Sequence, residues 1–277
     1  MSFNNLPQRE EYLKKKRNKR LIRYTIILVV IFFILGLSSF ISYRQKLRIS
    51  KVELSGGILL TSNEIERESL DFLGGSYFWL YPKNNYFWYP KIHLENDLRD
   101  IFKRIDTIKI SPKNFHTLSI VITEKKPFAI WCDNLPNNSV TEQCYFLDQN
   151  STIFAESPYF SGDAYFKYYG EISSSSPIGS QYIASSTEFS EISRFIDFTR
   201  SISLHPIYLV SKGGGEYSLV LRGGGEIYFD TKESLSKVME NLVALLKSKV
   251  FVASSTPDLP IQYIDMRYGN KLFYKLK

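Results

Sequence analysis

Hydrophobic and polar positions alternate with several periods along this chain, and one stretch contains no charged position at all. Residues 24–43 hold 20 consecutive uncharged residues, with a tyrosine at each end. A helix of that length covers the ~30 Å hydrocarbon core of a bilayer, since each residue adds about 1.5 Å. The stretch therefore predicts a transmembrane helix. A cleaved signal peptide is disfavoured because the apolar run exceeds the usual ~7–15 residues.

After this span, the pattern changes to short strands and amphipathic helices. Thr61 and Glu64 are spaced as a capping box at a helix start, and Leu94 and Leu98 recur at helical spacing further on. Alternating segments precede and follow these two helices. The pattern predicts a compact β-α-α-β-β unit within residues 44–126, built from segments 49–54, 61–75, 91–105, 106–111 and 117–126.

Strand-like segments dominate residues 127–277, and two amphipathic helices interrupt them. The helices are predicted at residues 187–202 and 231–249, where apolar positions group on one side. Short spacings between the strands predict a mostly antiparallel sheet on which these helices pack. The predicted fold class is α+β, comprising an N-terminal transmembrane helix, the β-α-α-β-β unit and a β-domain.

The net charge of +7 belongs almost entirely to the N-terminal end of the chain. Residues 1–43 hold eight Lys or Arg against two Glu, which gives +6 and leaves +1 for residues 44–277. A nearly neutral body disfavours nucleic acid as a partner. Eight basic residues precede the span and four follow it closely. Residues 1–23 are therefore predicted to be a cytoplasmic tail, and everything after Tyr43 to lie outside the cell membrane.

Two cysteines, Cys132 and Cys144, end two strand-like segments that a polar loop joins. A disulfide that clamps this hairpin would suit an exported domain. Two reduced thiols on neighbouring strands are the alternative.

Residues 76–90 contain eight aromatic side chains, including Trp79 and Trp88. One interpretation is contact with the nearby bilayer surface, where Trp and Tyr are favoured. The interpretation that we favour from the sequence is a loop that packs over the core of its own unit.

The polar motifs of the chain do not combine into a catalytic site. Gly213–Gly215 and Gly223–Gly225 lie between strands and precede glutamates that would repel phosphate, so they predict hairpin turns or bulges. Ser234 and Lys237 match S-x-x-K, but no K-T-G segment accompanies them. The three histidines lack metal-ligand spacing. The sequence predicts a non-enzyme without a cofactor, a metal site or a small-molecule substrate.

The C-terminal segment YIDMRYGNKLFYKLK predicts two strands around a Gly-Asn turn. Strand alternation places Ile264, Met266 and Tyr268 on one face, and Asp265 and Arg267 on the other. At this spacing, the Asp and Arg predict a surface ion pair worth ~0–1 kcal/mol rather than a catalytic pair. The lysines of the last strand either protect an exposed edge from aggregation or meet acidic groups on a partner.

Several segments together resemble the bacterial cell-division family FtsQ/DivIB. The opening ISKVELSGGILLTSNEI looks like the start of a POTRA domain. The run LENDLRDIFKRIDTIKISPKNFHTLSIVITEKKPFAIW is similar to the end of POTRA and the entry to the family's β-domain. CYFLDQNSTIFAE and YIDMRYGNKLFYK resemble the next hairpin and the closing strands of that domain. The aromatic insert, the cysteine pair and the lack of a long C-terminal tail depart from the family.

The resemblance implies a non-enzymatic divisome scaffold in the plasma membrane at the division septum, with a POTRA domain at 44–126 and a β-domain at 127–277. Its partners would be FtsB/DivIC-like and FtsL-like coiled-coil division proteins, whose strand adds to the final strand of the β-domain. The corresponding residues here are Arg267, Tyr268, Leu272, Phe273 and Tyr274. Two alternatives stay open: an anchored POTRA component of a secretion or translocation system, and an anchored wall enzyme acting through Ser234.

Overall fold

The computed structural model describes residues 6–136, 142–160, 162, 164–248, 261–269 and 271–277, with side chains from residue 12 onward. The chain divides into two compact units, Met1–Glu124 and Lys125–Lys277. The elements of the first unit are α1 (Leu6–Ser42), β1 (Lys51–Ser55), α2 (Ser62–Phe72), β2 (Ser76–Tyr77), β3 (Tyr81–Pro82), α3 (Lys91–Ile101), β4 (Ile105–Asn114) and β5 (Thr117–Glu124).

The first helix, α1, is the one described helix that is long and apolar enough to cross a membrane. It runs from Leu6 to Ser42, so the basic segment before the predicted span is helical as well. Lys, Arg and Leu all have high helix propensity, which explains why the helix begins before the apolar run. An exposed apolar helix of this kind serves as a membrane anchor or as a signal sequence.

The rest of the first unit has the predicted β-α-α-β-β order, with a small hairpin of β2 and β3 inserted between the helices. Its main sheet has the order β1-β5-β4, in which β5 runs parallel to β1 and antiparallel to β4. The capping box forms as predicted, because Glu64 N donates to Thr61 Oγ1 at 3.4 Å and Thr61 N donates to Glu64 Oε2 at 3.2 Å. Ile65, Leu94 and Leu98 are fully buried between the helices and the sheet.

The aromatic insert, residues 76–90, only partly packs over the core of its own unit. Tyr89 lies against the core, as the favoured interpretation predicted. Phe78 and Trp79 do not, since their side chains are 88% and 91% exposed. The expectation of an inward-packed loop is therefore wrong for the tip of the insert.

The second unit is a nine-stranded sheet with two helices. Its elements are β6 (Ala129–Cys132), β7 (Cys144–Leu147), β8 (Ile153–Glu156), β9 (Lys167–Tyr169), α4 (Ser186–Ser201), β10 (Pro206–Gly213), β11 (Glu216–Leu221), β12 (Glu226–Asp230), α5 (Leu235–Leu246), β13 (Ile261–Tyr268) and β14 (Lys271–Leu276). The strand order is β14-β13-β12-β11-β10-β9-β6-β7-β8.

This sheet is mixed, which refines the prediction of a mostly antiparallel sheet. Three neighbouring pairs are parallel, namely β6 with β9, β9 with β10, and β12 with β13. The short strand β9 joins two antiparallel groups, and α5 lies in the connection that makes β12 and β13 parallel. Parallel neighbours need a crossover connection instead of a tight turn.

Both helices of the second unit contribute to one core on the same side of the sheet. Phe189 and Phe195 of α4 and Leu242 of α5 are fully buried there, together with Leu219 and Ile264 from the strands. This cluster fixes which face of β13 is buried and which face is left open.

Candidate partner-binding edge

The last strand, β14, lies at one end of the nine-stranded sheet. It pairs antiparallel with β13, and β8 ends the sheet on the other side. Within the described residues, no strand pairs with the outer side of β14. Alternate residues of an edge strand direct backbone N–H and C=O groups away from the sheet, where an extended peptide can bind them. This strand is therefore a candidate site for strand addition.

A β-bulge lies in the hairpin that presents β14. Asp265 pairs with Phe273, whereas Tyr268 pairs with a residue only two positions before Phe273, so β13 carries one extra residue between the two pairs. An extra residue reverses the face on which the following side chains lie. The predicted face shared by Ile264, Met266 and Tyr268 is therefore wrong for Tyr268, which is exposed while the other two are buried.

The bulge creates an exposed pair of aromatic rings beside the edge. Phe273 stands opposite Asp265, on the face away from the helix-covered core. Its ring contacts that of Tyr268 edge-on, with centroids 5.4 Å apart and an interplanar angle of 89°. The two residues remain 51% and 57% exposed. Exposed aromatic residues that hold each other in place are suited to a protein interface, because they add contact area at little entropic cost.

The other two predicted residues of β14 lie on the opposite face. Leu272 packs against the helix-covered core, so its side chain supports the hairpin instead of facing a partner. Tyr274 pairs with buried Ile264 and keeps 41% of its surface exposed. Successive side chains of a strand point to opposite faces. A strand added to β14 would therefore place side chains beside residues on both faces of the sheet.

The edge is also basic. Lys271 and Lys275 belong to β14, Lys277 follows it, and the strand contains no acidic residue. The Lys277 ammonium donates to the backbone carbonyl of Gly223, which ties the chain end to the β11–β12 turn. An acidic extended segment would be electrostatically complementary to this edge.

Arg267 is held in a network on the open face of the sheet. Its Nε donates to Asp265 Oδ1 at 2.9 Å and its Nη2 donates to Asp265 Oδ2 at 2.7 Å, which makes the pair bidentate. Its Nη1 donates to Glu216 Oε2 at 2.7 Å. The guanidinium also lies over the rings of Tyr228 and Tyr268, at 5.4 and 5.9 Å from their centroids. The network spans β11, β12 and β13, and it positions the bulge beside β14.

The network changes the pKa values of Asp265 and Arg267. Burial acts to raise the pKa of the Asp265 carboxyl, but the hydrogen bonds from Arg267 outweigh it and hold that pKa below its ordinary value. Hydrogen bonds to Asp265 and Glu216 raise the pKa of the Arg267 guanidinium. Asp265 is only 8% exposed. The prediction of a simple surface ion pair is therefore wrong, since the acid is buried and shares its arginine with a second acid.

No protein-family model matches this chain, and no curated protein is similar to it in sequence. Of the predicted residues, the structure brings Tyr268 and Phe273 together at the surface and places Arg267 behind them. Sequence reasoning missed Glu216 and Tyr228, which lie on strands far from Arg267 along the chain and carry no local signal of this contact.

A second predicted feature lies near the opposite edge of the sheet. Cys132 and Cys144 form a disulfide between β6 and β7, where they are directly paired across the strands. Glu142 lies beside them, accepts from the Tyr169 hydroxyl and pairs with the Lys167 ammonium at 2.9 Å. The sulfur and carboxylate atoms are close enough together to suit a metal ion, but both sulfurs are joined to each other. The disulfide instead clamps the hairpin.

The structure places the two residues of the S-x-x-K match at the start of α5. Ser234 is the N-cap residue of α5, and the Lys237 ammonium pairs with Glu233 at 3.0 Å. His116 Nδ1 lies 3.2 Å from the Arg48 carbonyl oxygen. The glycine triplets form turns as predicted, with positive φ at Gly213, Gly214, Gly215 and Gly224.

Proposed function

We propose that this protein is a membrane-anchored, non-enzymatic scaffold of the FtsQ/DivIB type, which binds an FtsB/DivIC-like and FtsL-like pair of coiled-coil proteins at the division septum. The position of β14 at the sheet edge carries the proposal, because strand addition requires an edge without a covering strand. Support also comes from the order of the elements, an apolar helix, a β-α-α-β-β unit and a sheet domain.

The recognition chemistry follows from the edge. Backbone groups of β14 would pair with the partner's strand and give affinity without sequence preference. The aromatic pair Tyr268 and Phe273 would cover apolar side chains on one face of that strand. The lysines would favour acidic residues nearby and increase the association rate more than the final affinity.

Co-purification with the host's FtsB/DivIC-like coiled-coil protein tests the proposal. The variant Tyr268→Ala/Phe273→Ala should lower affinity by about tenfold or more, since central aromatic anchors carry much of an interface's energy. The matched control is Tyr159→Ala, which removes a ring that is 86% exposed just after β8. Equal loss in both variants, or no loss in either, would contradict binding at β14.

A further inference from the structure

The tip of the aromatic insert, Phe78–Trp79, lies beside the end of α1 and is attached to it. Tyr43 Oη donates to the Trp79 carbonyl at 3.0 Å, and Ser39 Oγ donates to the Leu80 carbonyl at 2.6 Å. These two bonds hold consecutive backbone groups of the insert against consecutive turns of the helix.

Two further bonds fix the insert to the same helix end. The hydroxyls of Ser38 and Tyr81 are 2.7 Å apart. Asn85, which is buried, donates from Nδ2 to the Ser42 carbonyl at 2.9 Å. The insert is therefore attached to α1 from both of its halves, and its tip has a defined position along the helix.

That position falls within the apolar run. Ser38 and Ser39 precede Tyr43 by five and four residues. At about 1.5 Å per residue they lie roughly 6–8 Å before the end of the run. Tyr43, whose hydroxyl holds the Trp79 carbonyl, is the last residue of the run. The tip is consequently at the depth where a spanning helix leaves the hydrocarbon core and enters the headgroup region.

The tip itself points away from the protein. Phe78 and Trp79 are 88% and 91% exposed, and both have positive φ, at 47° and 59°. Bulky residues rarely adopt this conformation, so the surrounding contacts must impose it. From Ser76 to Pro82 the insert carries no charge. On α1, Phe40 lies in the same last turns of the helix and is 61% exposed.

We infer that Phe78 and Trp79 insert into the outer interfacial region of the bilayer and form a second membrane contact of the first unit. Lipid is the molecule that contacts this tip, because the tip is hydrogen-bonded to the helix that the proposed function places in the membrane. Aromatic residues also favour this depth of the bilayer. The inference rests on α1 being the anchor of the proposed function, and it is independent of binding at β14. A second contact limits rotation of the unit about α1.

The test uses the full chain reconstituted in vesicles of phosphatidylethanolamine and phosphatidylglycerol, with a nitrobenzoxadiazole label on one introduced cysteine. The two native cysteines are joined in the disulfide. The introduced cysteine is therefore the one free thiol that the label can modify. The variants are Trp79→Cys, Ile58→Cys and Ile31→Cys. Ile58 is the matched control, since it is 89% exposed and belongs to the same unit. Ile31 lies within the apolar run and reports on the anchor.

Iodide in the aqueous phase should quench the label at position 79 at least about threefold more weakly than the label at position 58, because the interface shields it. Lipids with a shallow nitroxide should quench position 79 and spare position 58. Equal iodide quenching at 79 and 58, with position 31 protected, would overturn the inference while leaving the anchor intact. Iodide quenching at position 31 would overturn the anchor and with it the membrane contact.

Discussion

Removing the guanidinium of Arg267 should destabilise the second unit far more than an exposed ion pair would. Asp265 is 8% exposed and depends on Arg267 for two hydrogen bonds. Hydrogen bonds to charged groups contribute ~1.5–3 kcal/mol each, and removing one partner of a buried pair costs ~3–5 kcal/mol. Because the Arg267 side chain is 31% exposed, solvent weakens these terms. We expect Arg267→Met to lower the free energy of unfolding by about 3 kcal/mol.

A double-mutant cycle isolates the contribution of the pair. Arg267→Met, Asp265→Asn and the double variant are unfolded with urea in detergent, in a Trp79→Phe/Trp88→Phe background that leaves fluorescence of Trp131 as the readout. Trp131 is buried and is the one tryptophan in the second unit. We expect a coupling energy of about 2 kcal/mol. The exposed pair Glu233–Lys237 is the matched control and should give about 0.3–0.5 kcal/mol.

The pH dependence of the free energy of unfolding is an independent test of this network. In the native protein the pKa of Asp265 is lowered, so its stabilising effect is present above its unfolded pKa and is lost as the pH falls through the folded value. In Arg267→Met, burial without a cation should raise that pKa, and stability should increase on acidification towards pH ~4. A coupling energy below about 0.5 kcal/mol, with unchanged pH dependence, would refute the role assigned to this network.

Two further predictions concern the second unit. Cys132→Ser/Cys144→Ser should lower the free energy of unfolding by about 2–3 kcal/mol, because the disulfide closes a loop with a sequence separation of 12 residues and so restricts the unfolded chain. The same urea titration measures this change, and an unchanged free energy of unfolding would contradict the clamping role. Burial raises the pKa of Tyr168 to about 12, so its ionisation should occur above the ordinary tyrosine range in a spectrophotometric titration. Since the folded pKa is raised, this tyrosine's contribution to stability is complete below pH ~10 and is lost as the pH rises towards 12. Ionisation of all tyrosines near pH ~10 in the folded protein would contradict the raised pKa of Tyr168.

Local patterns predicted most of the secondary structure because helices and strands have different periods. The capping box at Thr61 and the apolar stripe of Phe189, Ile192, Phe195 and Ile196 are short-range signals, and the structure contains both. The uncharged run at residues 24–43 is also a local signal, and it predicted α1, the one described helix that is long and apolar enough to cross a membrane.

Long-range pairing was not predictable in the same way. The placement of β9 between β6 and β10 joins segments that lie far apart along the chain, and no local residue encodes it. The bulge before Tyr268 depends on how β14 pairs with β13, so simple alternation assigned that side chain to the wrong face. Glu216 precedes Arg267 by 51 residues, and only the sheet brings them together. The exposed tip at Trp79 likewise depends on bonds to α1.

The most direct measurement of strand addition is hydrogen exchange of β14 with and without the coiled-coil partner. The full chain in detergent is mixed with the FtsB/DivIC-like protein, and amide exchange is followed by mass spectrometry in the peptides that cover β14 and β8. Strand addition at β14 should slow exchange in residues 271–276 on binding, while exchange in β8, the other edge of the same sheet, stays unchanged. Unchanged exchange in β14 with a bound partner, or protection confined to β8, would contradict it.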